Sequence, residues 1–170
     1  MFRLAPVLIA TALFLAPAFA QDAFAAGCDA VLAAQVKGLD TPSRSTTKFA
    51  VNGGGISTLV SIAAGGKIYS KAGEGAWKID AQPLDRNKLA KYWTGETCTS
   101  DGSETTDSDS ADIVEHRTGG FPSMDTRFWI SRSSGLIVKT VVKAPGSVIT
   151  TEAEYRDVQI PAADAATPAK

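Results

Sequence analysis

Short turns rich in glycine divide most of the chain into brief stretches of alternating apolar and polar residues. The turn signals recur about every 8–12 residues, a spacing typical of antiparallel sheets, and Gly65-Gly66 and Pro145-Gly146 are two of them. Each stretch has one apolar and one polar face, as strands packed on one side do. The pattern predicts eight or nine strands, placed at residues 45–51, 56–64, 67–71, 76–80, 96–99, 111–118, 126–132, 136–144 and 148–160.

Two other segments carry apolar residues at the three- and four-residue spacing of helices. The first spans residues 22–37, with Asp22 as its expected N-cap. The second spans residues 83–94, where Pro83 suits the first helical turn. Successive strands with only two helices predict an α+β fold: a single curved antiparallel β-sheet, an unclosed barrel, with two helices packed on one face.

Residues 1–20 differ in composition from the rest of the chain. They have one charge, at Arg3, an apolar core, and the small-x-small motif Ala18-Phe19-Ala20, which together are the features of a signal peptide. We therefore expect cleavage near Ala20 and a periplasmic or secreted protein. A single domain is predicted at residues 21–160, followed by a flexible Ala/Pro-rich tail at residues 161–170.

The chain has two cysteines, Cys28 and Cys98. An oxidising compartment permits a disulfide, and we expect these two residues to form one that ties the first helix to the sheet. One alternative is a lipoprotein anchored at Cys28, because Ala25-Ala26-Gly27-Cys28 resembles a lipidation signal, with Cys98 free. The other alternative is a catalytic thiol, which would need the single histidine, His116, as its base.

Charge and ligand types argue against several classes of function. A net charge of −1 provides no basic surface for nucleic acid, and two Cys with one His cannot build a zinc site of the usual kind. The acidic stretch at residues 100–110 lacks the Gly and Glu of a calcium loop, so we expect a solvated hairpin loop there. Glu115 and His116 are neighbours on a strand and should point to opposite faces. No enzyme activity, metal or cofactor is predicted.

Three stretches resemble a known family. They are Lys67-Ile68-Tyr69 with Gly75-Ala76-Trp77, then RFWIS with SGL at residues 127–136, and TTEAEYRDV at residues 150–158. Together they are similar to the LolA/LolB-like superfamily of periplasmic proteins, including LppX/LprG-like lipid carriers, and most of all to its small, uncharacterised secreted proteobacterial members. The resemblance implies an unclosed barrel whose helices cover an apolar cavity.

We therefore expect a secreted periplasmic binding or carrier protein that shelters a lipid or other hydrophobic ligand between sheet and helices. The expected partners are that ligand and a lipoprotein or envelope protein, with peripheral membrane contact. The alternative is an interaction or structural protein of the envelope without a cavity. The ligand-binding residues are predicted to be Phe49, Trp77, Trp93, Trp129, Val138 and Tyr155. The alternative for the three tryptophans is that they fill the core between sheet and helices.

Overall fold

The computed structural model of the protein describes residues 27–80, 85–105, 109–119, 123–162 and 166–168. The predicted signal peptide, Asp22 and Pro83 lie outside these residues. No helix in the described ranges is both long and apolar enough to cross a membrane.

The two predicted helices are present with shifted bounds. Helix α1 is Cys28–Leu39, with Asp29 in its first turn and Lys37 in its last, both favourable to the helix dipole. Helix α2 is Arg86–Trp93, and its N-cap Asp85 accepts a hydrogen bond from the backbone N–H of Asn87 at 2.8 Å.

In the described part of the chain, ten strands form one sheet. They are β1 Ser43–Val51, β2 Ile56–Ala64, β3 Lys67–Ala72, β4 Trp77–Asp80, β5 Cys98–Thr105, β6 Ser110–Thr118, β7 Met124–Ser131, β8 Ile137–Ala144, β9 Ser147–Glu154 and β10 Ala166–Pro168. Their order in the sheet is β10-β4-β3-β2-β1-β9-β8-β7-β6-β5. All pairs are antiparallel except β10 with β4, and the two outer strands, β10 and β5, do not pair among the described residues. The α+β class with an unclosed sheet is confirmed.

Strand β9 joins the two halves of the sheet. It lies between β1 and β8, with Thr151 opposite Thr47 on one side and opposite Thr140 on the other. The Thr47 and Thr151 hydroxyls are hydrogen-bonded at 3.0 Å. The hairpin of β8 and β9 therefore pairs with β1, and this pairing joins residues that are far apart in the sequence.

Three predictions of local structure differ from the structure. Residues 100–105 were expected in a loop but belong to β5, an edge strand whose exposed side chains need no apolar face in order to pair. Strand β9 ends at Glu154 instead of residue 160, and Asp157 has φ 53 where the chain leaves the sheet. Within the expected flexible tail, residues 166–168 pair with β4.

Both helices pack on one face of the sheet, named here the helix face. Val114, Phe128 and Ile130 of β6 and β7 meet Ala30, Val31 and Ala34 of α1 and Trp93 of α2 in a single apolar cluster. The register places Val114 opposite Phe128, so both side chains lie on this face. Fully burying each of the larger side chains contributes about 1.5–3 kcal/mol.

The predicted disulfide is present and joins the first residue of α1, Cys28, to the first residue of β5, Cys98. Since both sulfur atoms are bonded to each other, neither the acylated Cys28 nor the catalytic thiol is compatible with this structure. The bridge closes a loop with a sequence separation of 70 residues, for which the chain-entropy model gives roughly 4 kcal/mol of stabilisation.

Candidate functional site

A cleft of about 260 Å³ lies between the helices and the sheet, and we call it the inner cleft. It opens beneath the C-terminal half of α1, over strands β1, β8 and β9. Its wall combines apolar side chains with hydroxyl groups: Ala34, Gln35, Gly38, Leu39, Ser43, Ser45, Leu89, Ile137, Lys139, Thr140, Thr151, Ala153 and Tyr155.

Side-chain size explains why the helix face is solid at one end and open at the other. Under the N-terminal half of α1, Phe128 and Ile130 fill the space against the helix. On β9 and β1 the residues in line with Phe128 are Thr151 and Thr47, and the next pair on this face is Ala153 with Ser45. Because these side chains are short, the space below the end of α1 stays unfilled.

A second and larger cleft, of about 630 Å³, lies on the opposite side of the sheet, the outer face. We call it the outer cleft. Its volume falls within the range of about 300–1,000 Å³ that is typical of small-molecule sites. It is lined by Glu104, Asp109, Ser110, Ala111, Trp129, Ser131, Ser133, Ser134, Val138, Lys139, Glu152, Ala153, Glu154, Tyr155 and Arg156.

Trp129 forms the aromatic part of the outer cleft. Its indole N–H donates to Glu104 Oε2 at 2.7 Å, and the ammonium of Lys139 lies 4.6 Å from its ring centroid. The register pairs Trp129 with Lys139, and Lys139 with Glu152, so all three side chains share the outer face. Such a distance from ring to ammonium is that of a cation–π contact.

Asp109 lies at the outer cleft and is held by one serine at the end of β7 and one in the turn that follows. Ser131 and Ser133 both donate hydroxyl hydrogens to its carboxylate, the latter at 2.8 Å. These hydrogen bonds, that of Ser131 first, lower the pKa of Asp109 below its usual value. Asp109 is therefore ionised at neutral pH.

The six predicted ligand-binding residues do not gather in one place. Trp129, Val138 and Tyr155 line the outer cleft, and Tyr155 also lines the inner one. Trp93 is only 6% exposed and fills the core, where its indole N–H donates to Gln35 at 2.7 Å. Ligand contact by any of the six stays a prediction.

Phe49 and Trp77 lie outside both clefts. Phe49 is four residues after Ser45 on β1, so both side chains lie on the helix face. Trp77 of β4 carries the ammonium of Lys71 at 5.3 Å from its ring. A tryptophan's position along a strand does not reveal which face the helices cover, so the sequence alone could not separate these residues.

His116 has a partner that the sequence did not indicate. It is 1% exposed, and its Nε2 lies 2.7 Å from Oε2 of Glu96, a residue between α2 and β5. The ring of Trp93 packs edge-on against that of His116, with 4.9 Å between the ring centroids. Cys98 of β5 lies directly opposite His116 in the strand register. His116 therefore links α2, β5 and the disulfide, while its neighbour Glu115 pairs with Arg127 on the outer face.

The sequence did not predict the four acidic residues of the outer cleft as parts of a site: Glu104, Asp109, Glu152 and Glu154. Strand alternation does put Glu152 and Glu154 on one face. Only the sheet order, which places β9 two strands from β7, brings that face beside Trp129. Among the residues that the structure covers, no cluster of three His, Cys, Asp or Glu is arranged to hold a metal ion.

Comparison with solved structures identifies the fold. MucB in complex with MucA(peri) has a TM-score of 0.52 at 11% identity, over 79% of this chain and 58% of that one. The Pseudomonas aeruginosa MucA/MucB complex has a TM-score of 0.50 at 11% identity, over 80% and 58%. The Mycobacterium tuberculosis lipoprotein LppX has a TM-score of 0.49 at 10% identity, over 78% and 96%.

No protein-family model and no curated protein matches the chain. The chain spans 58% of the length of MucB. At such identities the likeness concerns the fold alone, and this chain shares the fold of MucB. The unclosed antiparallel sheet with helices on one face, predicted from two hairpin motifs and a closing strand, is confirmed by the structure.

Proposed function

We propose that this protein is a periplasmic binding protein that holds an apolar ligand in the inner cleft, between the helices and the sheet. The observation that carries the proposal is the unfilled space under the end of α1, where short side chains replace the bulky core residues of β7. Concave and mostly apolar spaces are the usual places for small-molecule ligands.

A compartment outside the cytoplasm is supported by two independent features. The first twenty residues have the composition of a signal peptide. The Cys28–Cys98 disulfide needs oxidising conditions in order to persist. Both agree with a carrier or chaperone-like role in the envelope.

The size of the inner cleft limits what it holds. At about 260 Å³ it lies just below the range of about 300–1,000 Å³ for drug-sized ligands. One thin chain, such as a single acyl or alkyl chain, fits this space better than a lipid with two chains. Leu39, Leu89 and Ile137 supply its apolar contacts.

Binding of the uncharged dye N-phenyl-1-naphthylamine, whose fluorescence rises in apolar surroundings, tests the proposal. We expect the mature protein to bind the dye and a fatty alcohol to displace it. Ser45→Leu fills the cleft and should weaken dye binding about tenfold, the effect of losing about 1.4 kcal/mol. Ser57→Leu is the matched control, since Ser57 lies on the same sheet face opposite Phe49 and outside the cleft.

Two results would contradict the proposal. One is a mature protein that neither binds the dye nor carries a lipid in native mass spectrometry after purification. The other is a folded Ser45→Leu variant that binds the dye as the original protein does. Equal thermal midpoints of the two leucine variants establish that folding is not the cause.

A second candidate function is contact with an envelope surface through one end of the sheet. Val51, Ile56, Met124 and Val148 are exposed, Ile56 to 72%, and all lie at the end where β1, β6 and β8 finish. A clustering of exposed apolar side chains marks interaction sites in soluble proteins. Co-sedimentation with vesicles of phosphatidylethanolamine and phosphatidylglycerol tests this contact. We expect the protein to sediment with the vesicles and the Ile56→Asp variant to stay in the supernatant.

A further inference from the structure

Strands β8 and β9 separate at one end of the sheet. Their pairing stops at Lys139 and Glu152. Both strands continue beyond this point with other neighbours, since Ile137 pairs with Ile130 of β7 and Glu154 pairs with Arg44 of β1. The sheet therefore has a fork at this position, between two strands that are both held on their far sides.

The two clefts also share lining residues at the fork. Lys139, Ala153 and Tyr155 line the inner cleft and the outer cleft alike. Tyr155 spans the fork, because its hydroxyl donates to the main-chain carbonyl of Ile137 at 2.7 Å. This side-chain hydrogen bond therefore links the two strands beyond the last backbone pairing of β8 with β9.

The two clefts differ in chemistry. The inner cleft is small and largely apolar, whereas the outer cleft carries four carboxylates, Glu104, Asp109, Glu152 and Glu154, against the two cations Lys139 and Arg156. Among the residues that the structure describes, neither Glu152 nor Glu154 forms an ion pair. The residues that line the outer cleft therefore carry two more negative than positive charges beside an aromatic ring, and Arg44, opposite Glu154 on β1, lies outside this lining.

The ring of Trp129 already holds an alkylammonium group, that of Lys139. Lys139 is directly opposite Glu152 in the register, so its ammonium can turn from the ring to that carboxylate without any movement of the backbone. This exchange would leave Trp129, Glu104 and Glu154 free to surround a cation from outside, since aromatic rings and carboxylates together recognise organic ammonium groups.

These relationships point to an amphiphile with a cationic head group as the ligand. We infer that its head lies in the outer cleft against Trp129 and Glu154, while its single apolar chain passes Tyr155 into the inner cleft. The inference rests on the proposed function, because it adds the class of head group and the route of the chain to the binding of an apolar ligand.

Three probes of equal chain length separate the two proposals: dodecyltrimethylammonium, dodecyl sulfate and dodecyl maltoside, each below its critical micelle concentration. Their ability to displace the naphthylamine dye is measured at low and high salt. We expect the ammonium probe to bind about tenfold more tightly than the sulfate, with a preference that weakens at high salt. Equal binding of all three overturns the inference but leaves the proposed function standing, whereas no binding of any probe overturns both.

Variants of opposite expected effect guard against loss of folding. Glu154→Gln should reduce the preference for the ammonium probe. Lys139→Met removes the internal competitor for the ring of Trp129 and should increase the affinity for that probe, a gain that damage to the fold cannot produce. Lys143→Met is the matched control on the same strand and face, away from the outer cleft; the same gain in this control, or none in Lys139→Met, overturns the inference.

Discussion

The hydroxyl of Tyr155 donates to the main-chain carbonyl of Ile137 at 2.7 Å and spans the fork between β8 and β9. Tyr155→Phe removes only this hydrogen bond and keeps the ring. We expect a loss of about 0.5–1.5 kcal/mol in the free energy of unfolding, measured by urea titration. An unchanged free energy of unfolding would show that this hydrogen bond does not stabilise the fold.

Tyr155 also makes the stability of the fold depend on pH in the alkaline range. Burial raises the pKa of Tyr155 above its ordinary value of 10.0. Since the folded pKa exceeds the unfolded one, this contribution is complete below the unfolded pKa and is lost as the pH rises through the folded pKa. Between pH 9 and 12, wild-type stability should fall more steeply than that of Tyr155→Phe, in which the phenol is absent.

Asp109 gives the opposite dependence at acidic pH. Hydrogen bonds from Ser131 and Ser133 lower its pKa from 3.8, so its contribution is present above the unfolded pKa and is lost as the pH falls through the folded value. The thermal midpoint of Asp109→Asn should therefore decline less than that of the wild type on acidification from pH 5. Asp157→Asn, at an exposed position whose positive φ asparagine tolerates, is the control.

Removing the disulfide should be the most damaging of these changes. The pair of substitutions Cys28→Ala and Cys98→Ala is expected to lower the free energy of unfolding by roughly 4 kcal/mol. Guanidinium unfolding of the variant, and of the wild type with and without reductant, measures the effect. If reduction of the wild type does not shift its midpoint, the bridge between α1 and β5 is not a source of stability.

His116 should matter for stability because it is buried against Glu96 and Trp93. His116→Ala leaves a cavity and removes the hydrogen-bond partner of Glu96. We therefore expect the free energy of unfolding to fall by about 2–4 kcal/mol. Arg117→Ala on the same strand breaks an exposed pair with Asp125, which water screens, and should change stability far less. Similar losses in both variants would contradict the structural role assigned to His116.

Most strands were predictable because alternation is a local property of the chain. Residues 56–64 match β2, and residues 136–144 match β8 to within one residue. Residues 100–105 were not predictable as a strand, because an exposed edge strand needs only a neighbour with free backbone groups. The end of β9 depends on where β1 begins, which is equally non-local.

The sequence by itself determined the α+β class and the strand periodicity, since both depend on local pattern. It favoured a bond between Cys28 and Cys98 but left two alternatives open, which the structure decided. Alternation also placed Phe128 and Trp129 on opposite faces. Only the tertiary structure decided which of these faces meets the helices, and hence that Phe128 fills the core while Trp129 lines the outer cleft. The physical reason is that burial depends on what packs against a strand, and the position of β9 between β1 and β8 brings together residues about a hundred positions apart.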